Sequence, residues 1–278
     1  MKSFLKKIIN RLIYTLGKTI IGRFVENVLI EEAMKKITTV NHRGCSLYFT
    51  TPNPLTRWRA ETYSTKEPET LEWIDQMAEG QILWDVGANV GLYAIYAAKH
   101  RKLNVFGFEP SVFNIELLGR NSALNCVSSN LTIIPFALSD KTGTNYMKHI
   151  EPTWGGALSS FGADFGDDGK RFTSSIEYAI LGLSADDIIA KKLLPQPDHI
   201  KIDVDGIEHL ILSGAKKTLR SVQSVLVEVN DEFTEQAVAI SGVLEAAGLK
   251  LVTKQMSIFT KSGGDKAIYN QIWYRGTL

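Results

Sequence analysis

Apolar and polar positions along this chain change period several times, and each change marks an element. From Phe4 to Leu29 the apolar residues Phe4, Ile8, Ile9, Leu12, Ile13, Leu16, Ile20, Ile21, Phe24, Val25 and Val28 recur at three- and four-residue spacing, which predicts amphipathic helix. Gly17 and Gly22 predict a break or bend within it. Lys2, Lys6, Lys7, Arg11, Lys18, Arg23, Lys35 and Lys36 outnumber Glu26, Glu31 and Glu32 across residues 2–36. These charges interrupt the apolar run too often for a membrane span of about 20 residues. No clean apolar region with a small-residue cleavage site follows the first lysines, which argues against a signal peptide. Two readings of residues 2–36 stand: a helix or helix pair docked on the core or on a second subunit, or an interfacial helix on an anionic membrane surface.

The period then shortens to two. Ile37–Val40 and Ser46–Phe49 flank Asn41-His42-Arg43-Gly44, which predicts a hairpin with His42 exposed in its turn. Pro52 and Pro54 end the second strand. Ser64 or Thr65 is placed to cap a helix carrying Leu71, Trp73, Ile74 and Met77, with Glu67 among its first acidic residues.

From Ile82 onward apolar strands and helical segments alternate. The strands are Ile82–Val86, Asn104–Phe108, Leu131–Phe136, His199–Asp203 and Ser224–Asn230. Helices are expected over Val112–Leu124, from Ser184 to Leu194, over Ile207–Leu219 and over Ser241–Ala247. This alternation predicts a doubly wound α/β fold, a mostly parallel sheet with helices on both faces. Leu249–Met256 and Ile268–Tyr274 read as a closing antiparallel pair around Gly263-Gly264. The segment 141–198 exceeds an ordinary crossover. Thr144–Ile150 and Thr173–Leu181 are expected to pair as an antiparallel ribbon. Between them, Glu151–Lys170 holds Trp154 and five glycines, Gly155, Gly156, Gly162, Gly166 and Gly169, either a substrate lid or a mobile surface insertion.

Composition narrows the class. A chain of 278 residues can bury a full core, and residues 61–278 read as one domain behind an N-terminal extension over 1–60. The formal net charge of +1 offers no global electrostatic case for nucleic acid. Cys45 and Cys126 lie far apart in unlike contexts, so neither a disulfide framework nor a cysteine metal site is expected, and a reducing cytoplasm fits.

The densest chemistry lies at Ile82–Ala94, an apolar strand, a turn with Gly87, and a helix opened by Gly91. A dinucleotide fingerprint needs G-x-G-x-x-G, but Asn89 and Leu92 stand where its second and third glycines belong. Asp85, two residues before Gly87, would repel a pyrophosphate and suits a cationic ligand. Glu109 falls 18 residues after Gly91, at a strand tip where a carboxylate can accept from both hydroxyls of a ribose. With Asp203 and Glu228 at two further tips, the expectation is a carboxylate-lined crevice beyond the carboxyl ends of the strands.

The phrase Asp85-Val86-Gly87-Ala88-Asn89-Val90-Gly91 resembles class I S-adenosylmethionine-dependent methyltransferases in the form used by the FkbM family. Lys66–Thr70, Phe108-Glu109-Pro110, Ala137–Asp140 and Lys201-Ile202-Asp203-Val204-Asp205-Gly206-Ile207-Glu208 resemble further words of that family. Asp205 and Ile207 depart from its more usual Glu and Ala. The resemblance spans roughly residues 60–275 and implies a Rossmann-like, seven-stranded sheet with an antiparallel last strand. It implies S-adenosylmethionine held by Asp85, Gly87, Ala88, Asn89, Gly91, Glu109, Pro110, Ser111 and Asp203, with Asp140 near the adenine. It also implies O-methylation of a sugar or secondary-metabolite hydroxyl.

The acceptor proton needs a base, for which Asp203, Asp205 or Glu228 would serve. Alternatively, Asp203, Glu228 and Asn230 could hold a divalent cation that orients a diol. His149 and His209 are the remaining titratable candidates, each expected to be structural or exposed. Two other function classes remain: a non-catalytic S-adenosylmethionine-binding scaffold, and an NAD-type oxidoreductase, disfavoured by the missing glycine and Tyr-x-x-x-Lys. The expected location is cytoplasmic, with peripheral contact at the inner membrane face or homo-oligomer contact through residues 2–36.

Overall fold

The computed structural model describes residues 2–256 and 267–276. The chain starts with α1 (Lys2–Leu16) and α2 (Ile20–Met34). Thr19 caps α2 by accepting from the Gly22 amide at 2.9 Å. A Cβ on Gly22 would fall 1.8 Å from the Leu16 carbonyl oxygen, so the tight turn between the helices depends on this glycine.

Strands β1 (Ile37–His42) and β2 (Cys45–Thr50) then form the expected hairpin, turning at Arg43 and Gly44, both of positive φ. His42 is not in the turn. It pairs with Cys45 in the ladder, and its ring lies edge-on to Tyr63 and Tyr96 at 6.0 and 5.4 Å.

Next come α3 (Pro54–Glu61), α4 (Tyr63–Lys66) and α5 (Pro68–Asp75). Neither Ser64 nor Thr65 caps a helix here. Both lie inside α4, and α5 opens at Pro68, whose fixed φ and missing N–H suit a first helical position. Glu67 occupies the N-cap position, but its side chain makes no capping hydrogen bond and is buried.

The wound domain follows as β3 (Ile82–Val86), α6 (Leu92–His100), β4 (Asn104–Phe108), α7 (Val112–Leu124) and β5 (Leu131–Ile134). An excursion of four strands comes next: β6 (Ala137–Leu138), β7 (Gly143–His149), β8 (Ser159–Phe161) and β9 (Ile176–Leu183). The chain returns through α8 (Ala185–Ala190), β10 (His199–Ile202), α9 (Glu208–Ser213), β11 (Ser224–Asn230), α10 (Thr234–Ala246), β12 (Leu249–Met256) and β13 (Ile268–Arg275). Two helices differ from expectation. The segment Ile207–Leu219 holds only α9, followed by a short 3-10 turn over Thr218–Ser221, and α10 starts at Thr234 rather than Ser241. Gly263-Gly264 lies outside the described residues.

Among the described residues the main sheet has seven strands in the order β12-β13-β11-β10-β3-β4-β5, with β13 antiparallel to both neighbours. The strands from β11 to β5 run parallel. Successive residues of β3 serve opposite faces: Leu83 packs under α6, and Trp84 enters the cluster with Ile200, Val225 and Ile240. Burial on both faces explains its unbroken apolar sequence. The sheet winds outward from β3 in both directions, so the switch point lies there.

The register decides which residues meet. Val86 pairs with Phe108 on one side and Ile202 on the other, and Ile202 pairs with Val227. Gly87, Glu109, Asp203 and Glu228 each follow one of these residues, so they emerge along one edge of the sheet. The ribbon expected within 141–198 is present as β7 and β9, in register Thr144 to Leu181, and gains β8 on one side and β6 on the other.

The hairpin is tied to the domain through its open edge. Asn125 accepts from the Tyr48 amide at 3.0 Å and donates to the Tyr48 carbonyl at 2.7 Å. Asn121 accepts from the Thr50 amide at 2.7 Å. These amide side chains, from α7 and its C-cap residue, satisfy an edge that would otherwise stand unpaired.

Candidate active site

Gly87 makes the first turn out of β3. Its φ is 85°, and a Cβ there would lie 1.9 Å from the Asp203 carbonyl oxygen. The tips of β3 and β10 therefore approach at a distance only glycine permits. The amides of Gly87 and Ala88 both donate to the Phe108 carbonyl at 3.0 Å. Asn89 follows at φ 50°, a conformation asparagine tolerates. Its amide donates to Glu109 Oε2 at 2.7 Å, and Glu109 Oε1 accepts from the Ser111 amide at 2.8 Å. Burial pushes the Glu109 carboxyl up to about 7, and the amides of Ser111 and Asn89 pull against it.

Two cavities meet at this turn and share Gly87, Asn89 and Asp203. The main cavity, about 530 Å³, has a polar side with Glu109, Pro110 and Asp205 and an apolar end with Phe108, Leu138, Met147, Phe161 and Ile211. The second, about 470 Å³, is lined by Arg59, Tyr63, Lys66, Asp85, Tyr93 and Lys201. Asp85, Glu109 and Asp203 thus converge on adjoining spaces.

The crevice is not simply acidic. Lys201, 2 % exposed, donates to Asp203 Oδ2 at 2.8 Å and stands 3.9 Å from Asp85 Oδ1. Lys66 pairs with Glu67 at 2.5 Å, and Arg59 donates to the Gly155 carbonyl at 2.6 Å. Three cations thus line the space where only carboxylates were expected. Sequence reasoning misses Lys201 because a lysine inside a strand ordinarily reads as exposed; here the strand is central, and burial is tolerated through the paired acids. Its place beside Asp203 in the Lys-Ile-Asp phrase is the available signal. Arg59 and Lys66 come from a helical segment remote in sequence; Lys66 opens the family-like Lys66–Thr70 word, and Arg59 carries no such signal.

This network separates the carboxylates. Burial acts to raise Asp203, but Lys201 and Lys66 outweigh it and hold the group below its usual range. Asp85 is raised, chiefly by burial, with Lys201 opposing. Asp205, at φ 61°, is pushed up to about 6 by burial and then by Asp203, and its Oδ2 accepts from the Leu158 amide at 3.0 Å. Glu228 is raised well above its usual range by burial and next by Asp203. It lines neither shared cavity; it faces a smaller space of about 170 Å³ with Glu208, Asn230 and Gln236.

Other expected site residues fall elsewhere. Asp140 is exposed, accepts from Ser139 Oγ at 3.0 Å and lines neither cavity. Ser111 acts through its backbone on Glu109 rather than at a cavity wall. Gly91 serves helix packing, since a Cβ there would lie 2.4 Å from Leu118 Cδ1 on α7. His149 contacts Tyr178 Oη at 3.1 Å, and His209 stacks on Phe165; burial lowers both. Among the described residues no group of three His, Cys, Asp or Glu side chains is placed to hold a metal ion.

The glycine-rich segment lies across the strand tips. Asn114 accepts from the Gly155 amide at 3.0 Å and donates to the Gly156 carbonyl at 3.1 Å, which also accepts from Asn89 Nδ2 at 2.9 Å. Farther along, Asn230 Nδ2 donates to the Asp167 carbonyl at 3.0 Å. Gly156, Ser159 and Phe161 line the main cavity. No sequence signal marks Asn114, a polar residue on an otherwise ordinary helix.

Comparison with known proteins agrees with this geometry. The model of the methyltransferase FkbM domain matches residues 85–251. The chain is 27% identical over 189 residues to the hexuronic acid methyltransferase AglP of Haloferax volcanii, covering 67% of this chain and 72% of that protein. It is 24% identical over 212 residues to the 31-O-demethyl-FK506 methyltransferase FkbM of Streptomyces tacrolimicus, covering 66% of this chain and 78% of that one. Among solved structures it is similar to the precorrin-6y C5,15-methyltransferase of Geobacter metallireducens GS-15, with 14% identity, a TM-score of 0.44, and coverage of 76% and 90%. With its domain match spanning more than half of its length, the chain belongs to the FkbM methyltransferase family and is an S-adenosylmethionine-dependent enzyme.

Proposed function

We propose that this enzyme methylates a hydroxyl of a sugar or comparable small metabolite, with Asp205 receiving the acceptor's proton. The residues present fit the donor molecule part by part. The apolar end of the main cavity, with Phe108, Leu138 and Met147, suits a purine. Glu109 has one backbone amide on each oxygen and lines the main cavity, a carboxylate acceptor that suits a vicinal diol. The second cavity carries both signs of charge, Asp85 against Arg59, Lys66 and Lys201, which suits an amino-acid zwitterion better than the uniformly anionic crevice expected from sequence.

When bound, S-adenosylmethionine supplies an electrophilic methyl group on a sulfonium. The acceptor oxygen would take that methyl, the C–S electron pair leaving with S-adenosylhomocysteine, and a carboxylate of the chain would take the hydroxyl proton. One observation favours Asp205 for that role: it lines the main cavity without a lysine on its carboxylate, whereas Asp203 is held by Lys201. A carboxylate raised to about 6 is a better base near neutrality than one held below its usual range. In this reading residues 61–278 form the catalytic domain, residues 1–60 an extension, and the insertion at 141–198 a lid over the acceptor. The relatives' named substrates, a hexuronic acid and 31-O-demethyl-FK506, support a hydroxylated acceptor. Incubation with labelled S-adenosylmethionine and a panel of hydroxylated glycans and polyketides tests the reading. Label should enter an alkali-stable methyl ether; transfer only to amines or thiols would refute it.

A further inference from the structure

We infer that α1 and α2 form an amphipathic hairpin that lies on the surface of an anionic lipid bilayer. In α1, Phe4, Ile8, Leu12, Ile9 and Ile13 occupy one half of the helix at 100° per residue, and Lys6, Lys7 and Arg11 occupy the other. In α2, Ile20, Phe24 and Val28 continue the same pattern. These apolar side chains are not covered by the domain: Phe4 is 71 % exposed, Ile20 80 % and Phe24 67 %. Such a surface in water lacks the partner that its apolar area requires.

Charge selects the partner. Residues 1–25 carry Lys2, Lys6, Lys7, Arg11, Lys18 and Arg23 and no acidic residue. The acids of this region are all on α2: Glu26 lies before its midpoint, with its carboxylate beside Gly17, and Glu31 and Glu32 lie toward β1, where Glu32 pairs with Lys35 at 2.8 Å. A second copy laid over this surface would bring the cationic segment against itself, with no carboxylate on α1 to compensate. An anionic bilayer satisfies both halves of α1: headgroups meet the lysines and arginine, and the acyl boundary takes the apolar stripe. Long lysine and arginine stems can reach headgroups while their methylenes stay with the apolar phase. The association is superficial, because no helix among the described residues is long and apolar enough to cross a membrane.

Sedimentation of the full chain with vesicles tests this. One set is phosphatidylcholine alone, the other phosphatidylcholine with about one third phosphatidylglycerol. Binding should favour the anionic vesicles at least about tenfold at low salt and weaken as salt is raised. Two variants, one combining Lys6→Glu, Lys7→Glu and Arg11→Glu, the other Ile8→Asp with Leu12→Asp, should each lose most of that binding. Calorimetric binding of S-adenosylmethionine serves as the check that both variants remain folded. Equal binding to both vesicle types, or none, would overturn the inference. So would a dimer in light scattering that Ile8→Asp with Leu12→Asp dissolves while anionic vesicles are ignored.

Discussion

At the scale of single residues, the site is governed by which carboxylates have a cation. Asp203 and Asp85 share Lys201, while Asp205 makes no ion pair among the described residues and feels Arg59 only at longer range. Asp205→Asn should therefore lower kcat by about a hundredfold or more and leave S-adenosylmethionine affinity within severalfold of wild type. In the wild type, activity should rise with pH through the Asp205 value of about 6, because the base works only when ionised. A pH–rate profile that keeps this limb in Asp205→Asn would assign it to another group. Asp203→Asn should instead act through Lys201 and weaken cofactor binding. Lys201→Met removes the cation nearest the buried Asp85 and leaves Asp203 with only Lys66 and Arg59 at longer range, and it should destabilise the fold by about 3 kcal/mol, measured by denaturant unfolding. Adding Asp85→Asn to Lys201→Met should recover part of that loss.

At the scale of elements, the β3 turn and the glycine-rich segment set the shape of the site. Gly87→Ala would push a Cβ into the Asp203 carbonyl at a positive φ, so calorimetry should show S-adenosylmethionine binding weakened by about tenfold or more. Asn114 fastens residues 155 and 156 with two hydrogen bonds. Asn114→Ala should expose the segment 151–170 to limited proteolysis and raise KM, with the rest of the chain resistant. The strands of the main sheet and their mostly parallel, doubly wound arrangement were legible from apolar runs and the alternation of elements; their order was set only by the register of the folded sheet. Helix ends were less so. Pro68 rather than Ser64 sets the start of α5, and α9 stops at Ser213, where Gly214 leaves no room for a side chain beside the Ser139 carbonyl. His42 reads as exposed because its neighbours have turn chemistry, yet Tyr63 and Tyr96, from two helices, enclose it.

At the scale of the whole molecule, the buried acids around the strand tips shape stability. Glu208, 2 % exposed, accepts from the Val204 and Gly206 amides and from Gln236, and burial pushes it up to about 7. A carboxyl raised in the folded state favours folding while protonated, and that contribution is lost as pH rises from its unfolded value through about 7. Relative to wild type, Glu208→Gln should therefore gain stability between pH 5 and 8. The gain should be about 1–3 kcal/mol, since a tenfold change in a proton-binding constant is worth about 1.4 kcal/mol. Thermal unfolding at both pH values checks this; a difference independent of pH would place the titration elsewhere.

What the linear order of residues determined by itself was local: where the chain is extended, where it must turn at glycine, and which acids end strands. Those features depend on near neighbours, and the Asp85–Gly91 and Lys201–Glu208 phrases carry the family resemblance through them. Whether an acid is paired, open to a cavity or turned to solvent was decided only by tertiary structure. Parallel pairing of β10 with β3 sets Lys201 opposite Asp85 across 116 residues of sequence, and a helix ending 142 residues before Asp203 contributes Arg59. Electrostatic energy depends on distance in space and on exclusion of water, and neither can be read from position along a chain.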